Sequence, residues 1–570
     1  MGMNNREFEM VAGGNAPADL ILVNANVVNT FTARVEKSNV AISDGKITGG
    51  GDFRKAKEII DLKGRYLAPG FIDGHVHLES SMLNPGAYAK AVVPRGVLSV
   101  VTDFHEIANV CGISGIEYIL NYARALPMDI FGMAPSCVPA THLETAGARI
   151  TSEELKEIKA LNNIIGLGEM MNYPGVISGD RDILSKIELF RGMIIDGHAP
   201  GLSGRDLKSY VSAGIMSDHE CTSLEEAEEK LSLGLYIMIR EGSSEKNLEA
   251  LFPLVNDRSF KKCFFVVDDR CCADLLHDGD VDGVVRKAVK MGLDPVRAIQ
   301  MATINTAEYF RLTGLGAVET GYRANLIVFN ELTEMKVSMV FYDGRLVARD
   351  GKLVVAIPAP DSSDSGLTHT VNIKPLVVED LKMPANNKTA PVIEIIPDQI
   401  LTKRREEEVR IGNGLFLPDT AKDLMKLVVV ERHRASGNVG LGIVRGFGLK
   451  RGALASTIAH DSHNIIAVGT NDQDIFEAIS ELERIQGGLT VTVNGKVVDS
   501  LALPIAGLLS KEPIEEVARK LRKLQSAAFD LGCMLRTPFD TLSFLALPVI
   551  PELRLTDLGM VDVTEFKLLD

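Results

Sequence analysis

Between residues 69 and 318 the chain repeats one arrangement of hydrophobic and polar positions. Each repeat is a short apolar run with a polar residue at its end, a loop and an amphipathic helix, such as those predicted over 152–161 and 223–233. The predicted strands cover residues 71–77, 98–106, 130–136, 164–169, 193–198, 214–220, 235–241 and 263–269. Apolar strands that alternate with helices indicate a parallel sheet that is buried on both faces.

Eight such units, spaced about 20 to 35 residues apart, predict an α/β fold, a (β/α)8 TIM barrel. In that fold the active site lies at the carboxyl ends of the strands, which is where the polar residues fall here. One polar residue at one strand end is most simply a terminus that meets solvent. Eight ends in register, rich in His, Asp and Glu, indicate a site instead.

In the regions on either side of the predicted barrel, apolar and polar residues alternate as they do in strands with one exposed face. Runs over 19–29 and 38–47 return in kind at 324–329 and 337–347, with hairpin signals at Asp44-Gly45 and Asp343-Gly344. We therefore expect one flanking β-sandwich made of residues 1–68 and 319–357, with the barrel, 69–318, inserted. A turn-rich linker at 358–366 then opens an additional α+β domain that extends to residue 570.

Composition narrows the choice of partners. The net charge of −15 and the absence of Trp disfavour a nucleic-acid surface, and the acidic balance disfavours an anionic membrane. The 7 Cys show no disulfide framework, and no run has the length of a membrane span. We expect a cytoplasmic protein that acts on a small molecule, with neither nucleic-acid nor membrane partners.

The polar strand ends supply a set of metal-type ligands. His75 and His77 face one side of the first strand, because strand side chains alternate with period two, although such a pair can equally be packed or solvated. Imidazoles and carboxylates are ligands of Zn²⁺, Mn²⁺ and Fe²⁺. The six candidates are His75, His77, Glu169, His198, His219 and Asp268. With Glu169 as a bridge, they predict a binuclear divalent centre that readies a hydroxide for attack.

Five stretches of this sequence resemble the amidohydrolase superfamily and, within it, the bacterial and archaeal adenine deaminase family. They are PGFIDGHVHLESS (69–81), DFHEIANV (103–110), GEMMNYPGV (168–176), DGHAPG (196–201) and AHDSHN (459–464). The likeness spans almost the whole chain. Many superfamily members bridge their metals with a carboxylated lysine, whereas Glu169 here is similar to the adenine deaminase pattern.

The resemblance implies a barrel of the amidohydrolase type and hydrolysis of adenine to hypoxanthine and ammonia in purine salvage. It also implies a binuclear centre of Mn²⁺, Fe²⁺ or Zn²⁺ and a homo-oligomer. Asp268 is expected to be both a ligand and the catalytic base. We prefer it to Asp269 because Phe264, Val266 and Asp268 share one parity on the eighth strand, and we assign Asp269 to the substrate.

The remaining candidates surround the purine. Because C6 of adenine is a weak electrophile, a ring nitrogen must be protonated, and Glu220 or His105 can serve. His105 can equally be a residue that only orients a ligand, and Glu220 can equally be a solvated loop carboxylate. Glu106 and His463 are assigned to substrate binding. We expect the segment with His460, Asp461 and His463 to cover the barrel mouth, although an internal hydrogen-bonded turn fits the sequence as well.

Two other functions fit parts of the sequence. The same metals would serve an amidohydrolase that opens a cyclic amide or removes an N-acetyl group. A non-catalytic scaffold is the other alternative, but such a protein would have lost ligands, and all six candidates are present.

Overall fold

The computed structural model describes residues 5–358, 366–385, 387–397 and 399–569. The chain begins with a helix and a run of strands: α1 Asn5–Ala12, β1 Ala18–Asn29, β2 Arg34–Ser43, β3 Lys46–Gly50, β4 Ala56–Asp61 and β5 Tyr66–Pro69. Asp44 and Gly45, between β2 and β3, have φ of 49° and 75°. Positive φ at both positions is what a two-residue hairpin turn requires, so the predicted hairpin is confirmed.

The barrel follows directly. Its strands are β6 Phe71–Val76, β7 Val97–Asp103, β8 Asp129–Ala134, β9 Ile164–Met170, β10 Ile194–Gly197, β11 Ser217–Asp218, β12 Tyr236–Arg240 and β13 Cys263–Val266. They run parallel in sequence order. The Met216 amide donates to Ile195 between β10 and β11, and a parallel bridge between Val76 and Asp268 closes the cylinder. The barrel prediction is confirmed.

Helices connect the barrel strands and cover the outside. They are α2 Pro85–Val92, α3 His105–Cys111, α4 Ile113–Ala123, α5 Ser152–Lys159, α6 Tyr173–Ser178, α7 Arg181–Leu189, α8 Gly204–Ser212, α9 Leu224–Ser232, α10 Leu248–Leu251, α11 Cys272–His277, α12 Val281–Lys290, α13 Pro295–Met301 and α14 Ile304–Tyr309. Side chains of Thr151 and Ser223 cap α5 and α9, which explains why these two helices begin where the sequence predicts.

Large apolar side chains fill the inside of the barrel. Ile72, Met133, Met238 and Phe264 are buried in one cluster beneath the strand ends. Gly74 has no side chain in this layer, and a Cβ there would lie 2.5 Å from the Phe264 ring. The filled interior leaves the carboxyl ends of the strands as the place where polar groups collect.

After the barrel the chain returns to the first sheet with β14 Leu326–Phe329, β15 Val337–Tyr342, β16 Arg345–Arg349 and β17 Lys352–Leu353. β14 pairs antiparallel with β5, so the sheet order is β17-β16-β15-β14-β5-β1-β2-β3, with β4 beside β1. The segments on either side of the barrel therefore share one sheet. Residues 359–365 of the predicted linker lie outside the described residues.

The remaining residues form a mixed α and β domain. Its elements are β18 Thr389–Ile395, β19 Thr402–Glu408, β20 Arg410–Gly412, β21 Leu415–Leu417, β22 Met425–Val430, β23 Val439–Arg445, β24 Ala453–Ser456, β25 Ile465–Gly469, α15 Asp472–Arg484, β26 Gly488–Val493, β27 Lys496–Ala502, α16 Ile514–Asp530, α17 Pro538–Phe544, β28 Leu553–Thr556, β29 Gly559–Asp562 and β30 Lys567–Leu568. The main sheet has the order β19-β18-β23-β22-β25-β24-β26-β27.

This C-terminal domain packs against the barrel mouth. One continuous apolar core contains Leu83 and Leu98 of the barrel together with Leu454 and Leu509 of the C-terminal domain. The amide of Ser510 donates to the Met82 carbonyl across the boundary. The packing therefore brings the β24–β25 region to the carboxyl ends of the barrel strands. Of the helices within the described ranges, none combines the length and the apolar character that crossing a bilayer demands.

Candidate metal centre

Six buried or nearly buried side chains meet at the mouth of the barrel. His75 lies on β6, Glu169 on β9, and His198 and His219 directly follow β10 and β11. Asp268 lies two residues beyond β13 with φ of 59°. This left-handed backbone is unusual for a non-glycine residue. It is maintained by main-chain hydrogen bonds between Asp268 and the end of the first barrel strand, β6.

The first histidine pair faces two carboxylates. Nε2 atoms of His75 and His77 lie 3.2 and 3.1 Å from Oδ1 of Asp268. Oε1 of Glu169 is 3.2 Å from Nε2 of His77 and 3.8 Å from that of His75. Four potential ligand atoms from three separate strands therefore surround one small volume.

The second histidine pair faces the other oxygen of Glu169. Nδ1 of His198 lies 2.5 Å and Nε2 of His219 lies 3.2 Å from Oε2 of Glu169. Burial favours the neutral acid, but His219 and His198 outweigh it and lower the pKa of Glu169 well below its usual value. An ionised carboxylate thus lies between the two histidine pairs, with one oxygen toward each.

The donor set fits divalent cations. Among the described residues, no hydrogen bond is formed by the buried Nε2 atom of His75, which points at this cluster. The groups His75–His77–Glu169, His75–His219–Asp268 and Glu169–His198–His219 each bring their ligand atoms within 4.8 Å of one another. Imidazole nitrogens and carboxylate oxygens at this spacing suit Zn²⁺, Mn²⁺ or Fe²⁺.

Arg240 lies beside the cluster at the end of β12, and the sequence marks it only as a weaker candidate for substrate binding. Its Nη1 donates to Oδ2 of Asp268 at 2.8 Å and contacts Oε1 of Glu220, while its Nη2 donates to Oε2 of Glu220 at 3.1 Å. Burial opposes the charge on Glu220, but Arg240 and the neighbouring histidines outweigh it and lower the pKa of Glu220. The signal was an arginine that ends the otherwise apolar run YIMIR.

Asp103 holds the backbone of Glu169 and was not predicted as a site residue. Its Oδ2 accepts the Glu169 amide at 2.8 Å, and its Oδ1 accepts the His105 amide at 3.1 Å. Gly168 allows this approach, because a Cβ there would lie 1.9 Å from Oδ2 of Asp103. The available signal was a buried aspartate at the end of an apolar strand, β7.

His105 and Glu106 lie in the first turn of α3, because β7 ends at Asp103 and not at residue 106 as the apolar pattern predicted. Nδ1 of His105 is 3.5 Å from Oε1 of Glu169, and Nε2 of His105 is 3.2 Å from Oε1 of Glu106. The helix turns both side chains toward the centre, which the predicted strand would not do.

Comparison with known proteins agrees with this arrangement. A sequence profile described as "Amidohydrolase family" matches residues 66–347, and one described as "Adenine deaminase C-terminal domain" matches residues 399–567. The chain is 56% identical over 100% of its length to a Dehalococcoides mccartyi protein called adenine deaminase, 99% of which is covered. The chain belongs to the adenine deaminase family.

Two further relatives in this adenine deaminase family are similar throughout. A Carboxydothermus hydrogenoformans protein called adenine deaminase 2 is 50% identical over 99% of this chain and 98% of its own. A Halalkalibacterium halodurans protein called adenine deaminase is 44% identical over 98% of this chain and 97% of its own. Membership identifies the chain as a metal-dependent hydrolase, and the His, Glu and Asp clusters at the barrel mouth can bind the metal.

In this adenine deaminase family member the C-terminal domain reaches the centre through Glu106. Nδ1 of His460 lies 2.7 Å from Oε1 of Glu106, and Nε2 of His463 contacts Oε2. Asp461 lies nearby, with its Oδ1 3.9 Å from Nε2 of His105. Both oxygens of a barrel carboxylate are therefore in contact with histidines from the other domain.

A cavity lies between the barrel and the C-terminal domain, beside the candidate metal centre. Asp269 lines it from the barrel side, where its Oδ1 contacts the Ser80 hydroxyl, instead of joining the histidines as Asp268 does. His460, Asp540 and Phe544 line the opposite side. The His460 and Phe544 rings stack with centroids 4.5 Å apart. The cavity thus has carboxyl groups on both walls and an aromatic surface on one.

Proposed function

We propose that this protein hydrolyses adenine to hypoxanthine and ammonia. One observation carries the proposal: six metal-type ligands, Glu169 among them, converge in a chain that aligns from end to end with relatives called adenine deaminase. The barrel accounts for the ligands and the family for the substrate. The setting that we propose is purine salvage in the cytoplasm by a homo-oligomer.

Two divalent cations are proposed at the centre, Mn²⁺, Fe²⁺ or Zn²⁺. His75, His77 and Asp268 would hold one, His198 and His219 the other, with Glu169 between them. When bound, the cations would acidify a water molecule and so supply hydroxide at neutral pH. The buried, ionised Glu169 offers an oxygen to each site, which supports a bridging role.

Asp268 is the proposed base. It accepts the proton of the attacking water and delivers it to the departing amine of C6. Burial opposes its charge, but His75 and His77 outweigh burial and lower the pKa of Asp268 well below its usual value. Arg240 holds the other oxygen of Asp268 at 2.8 Å and thereby orients the carboxylate. An ionised, oriented carboxylate suits a proton acceptor.

His105 is the better candidate to protonate a ring nitrogen. Glu220 is paired with Arg240 and ionised, so it can accept a hydrogen bond from the purine but is a weak proton donor. Burial lowers the pKa of His105, yet Asp461 and Glu106 raise it well above its usual value. A protonated imidazole beside the centre can donate to the ring as C6 becomes tetrahedral.

The purine is proposed to lie between the centre and the cavity under the C-terminal domain. Asp269 lines this space, whereas His463 reaches it only indirectly, through its contact with Glu106, which in turn contacts His105. A planar base needs flat apolar walls and a few polar contacts at its edges, which the stacked pair of His460 and Phe544 and the nearby carboxyl groups supply.

Asp268→Asn tests the proposal most directly. The amide keeps an oxygen ligand but cannot accept the proton, so we expect both metals to be retained and kcat to fall by about 10²- to 10⁴-fold. Asp269→Asn is the matched control on the next residue and should mainly change KM. Production of ammonia and hypoxanthine from adenine is measured, with hydantoin ring opening as the alternative reaction. A variant with both metals and near-normal turnover would rule out Asp268 as the base.

A further inference from the structure

Arg432 is a fully buried arginine whose guanidinium donates hydrogen bonds to main-chain carbonyls and not to a carboxylate of the described residues. Its Nε donates to the carbonyl of His463, its Nη2 to Ala506 at 3.0 Å and its Nη1 to Thr370 at 3.2 Å. Among the described residues none of its hydrogen bonds goes to a carboxylate. Because an unpaired buried charge is costly, these carbonyl hydrogen bonds are what compensate the buried guanidinium.

The space for Arg432 is made by the surrounding backbone. Gly507 has φ of 70°, and a Cβ there would lie 2.8 Å from Nη1 of Arg432. Burial lowers the pKa of Arg432 to about 10, so the guanidinium still carries its charge at neutral pH. At the base of the loop over 459–464 the guanidinium is therefore a charged donor, and each of its three nitrogens forms a hydrogen bond.

That loop is fixed from several directions. Nε2 of His433 lies 2.7 Å from the Ser462 carbonyl. Asn464 accepts the Arg432 amide at 3.2 Å and donates to the Thr145 carbonyl of the barrel region at 2.8 Å. His463 itself has φ of 54°, a backbone conformation that persists when its surroundings hold it in place.

The fixed loop presents its histidines to the barrel. His463 contacts one oxygen of Glu106 and His460 the other, and Glu106 lies 3.2 Å from His105. His105 in turn lies 3.5 Å from Glu169. A continuous series of contacts thus leads from Arg432 to the proposed proton donor beside the metal centre.

We propose that Arg432 is a positioning residue that, through the carbonyl of His463, fixes Glu106 and hence His105 for the reaction. The proposal rests on the proposed function. The C-terminal domain accordingly takes part in setting the catalytic geometry and does more than cover the cavity. A small displacement of a catalytic group is costly even when the displaced residue lies far from the substrate.

Arg432→Lys and Arg432→Met test the proposal, with Arg554→Lys and Arg554→Met as controls. Arg554 is also fully buried in the C-terminal domain and donates to carbonyls, those of Ile550, Ile400 and Pro551. Both pairs should lose thermal stability. We expect only the Arg432 variants to lose kcat, by about 10- to 100-fold at unchanged metal content and with little change in KM.

A second measurement does not depend on turnover. Hydrogen exchange followed by mass spectrometry should show faster exchange at 459–464 in Arg432→Lys than in Arg554→Lys, by about tenfold. The exchange measurement separates the role of Arg432 from the proposed function. A wild-type protein that releases no ammonia from adenine would refute the function, whereas unchanged exchange of the loop in Arg432→Lys would refute the role of Arg432.

A double-mutant cycle with His463→Asn completes the test. If Arg432 acts through His463, Arg432→Lys should reduce kcat far less in the His463→Asn background than in the wild type. Additive losses would overturn the proposal, as would an Arg432→Lys variant whose kcat equals that of Arg554→Lys.

Discussion

Glu169 and His198 lie 2.5 Å apart between Oε2 and Nδ1, while the other oxygen of Glu169 faces His77 at 3.2 Å. One carboxylate thus serves two histidine pairs that come from opposite sides of the barrel. Because each oxygen has its own pair, changing this single residue should affect both halves of the centre.

Glu169→Gln should therefore lower metal content as well as activity. The amide removes the negative charge and replaces one oxygen donor with an NH₂ group, which cannot ligate a cation. We expect fewer than two metal ions per chain and a fall in kcat/KM of at least about 10³-fold. Glu188→Gln, at an exposed carboxylate paired with Arg191, is the control. A variant with two ions and normal turnover would contradict the bridge.

Removal of the metals should also destabilise the fold. Without cations the buried histidines and carboxylates of the centre lose their shared partners, and a ligand that binds only the folded state stabilises it. Chelation should abolish ammonia release and lower Tm by about 5–10 °C, and both should return on addition of Mn²⁺. Metal analysis, calorimetry and turnover on one sample check this. An unchanged Tm together with full activity would exclude a metal centre.

The apolar runs were enough to predict the barrel and the convergence at its mouth. Each of β6, β9, β10 and β11 ends at or next to a predicted ligand, since strand order and direction place those ends together. The alternation of side chains along a strand was a weaker guide to which aspartate of the eighth strand faces the histidines. Asp268 lies two residues beyond β13 in a left-handed conformation, so its direction is set by its main-chain contacts with the first barrel strand, β6, and not by strand alternation.

The apolar pattern does not predict contacts between residues that are far apart in the sequence. Arg240 pairs with Glu220 and Asp268, 20 and 28 residues away, and no local pattern selects these partners. His460 contacts Glu106 across 354 residues between two domains. The sequence identified His460 and His463 as unusual, but only the packing of the domains shows which carboxylate they meet.

Gly168→Ala should disturb the centre although the glycine is no ligand. The added Cβ would meet Asp103, whose two oxygens hold the amides of Glu169 and His105. We expect loss of metal affinity and of activity by about 10- to 100-fold, as for other supports of metal ligands. Gly366→Ala is the control, because a Cβ there has open space. Normal metal affinity in Gly168→Ala would show that Asp103 can move without consequence.

His463→Ala tests the contribution of the C-terminal domain at the barrel mouth. Loss of the imidazole leaves one oxygen of the buried Glu106 without its partner and removes a contact between the C-terminal domain and the barrel. We expect kcat/KM for adenine to fall by about 10- to 100-fold with metal content retained. His277→Ala, at an exposed histidine, should behave as wild type. If His463→Ala kept both its kinetics and its metals, the covering role of this loop would be lost.

Asp540→Asn should change the pH dependence of stability. Burial, followed by the charge of Asp274, raises the pKa of Asp540 to about 7 from an ordinary value of 3.8. A carboxyl with a raised pKa binds its proton more tightly in the folded state. Its contribution to stability is therefore complete below pH 3.8 and is lost as the pH rises through about 7.

The asparagine variant cannot ionise and should avoid this loss. Because Asp540 keeps part of its surface open to the cavity, we expect a gain of only about 1–2 kcal/mol at pH 8 and little difference at pH 4. Urea unfolding at the two pH values measures the gain. Asp530→Asn, at an exposed position in the last turn of α16, is the control. Equal effects of Asp540→Asn at both pH values would show that the carboxyl ionises freely in the folded protein.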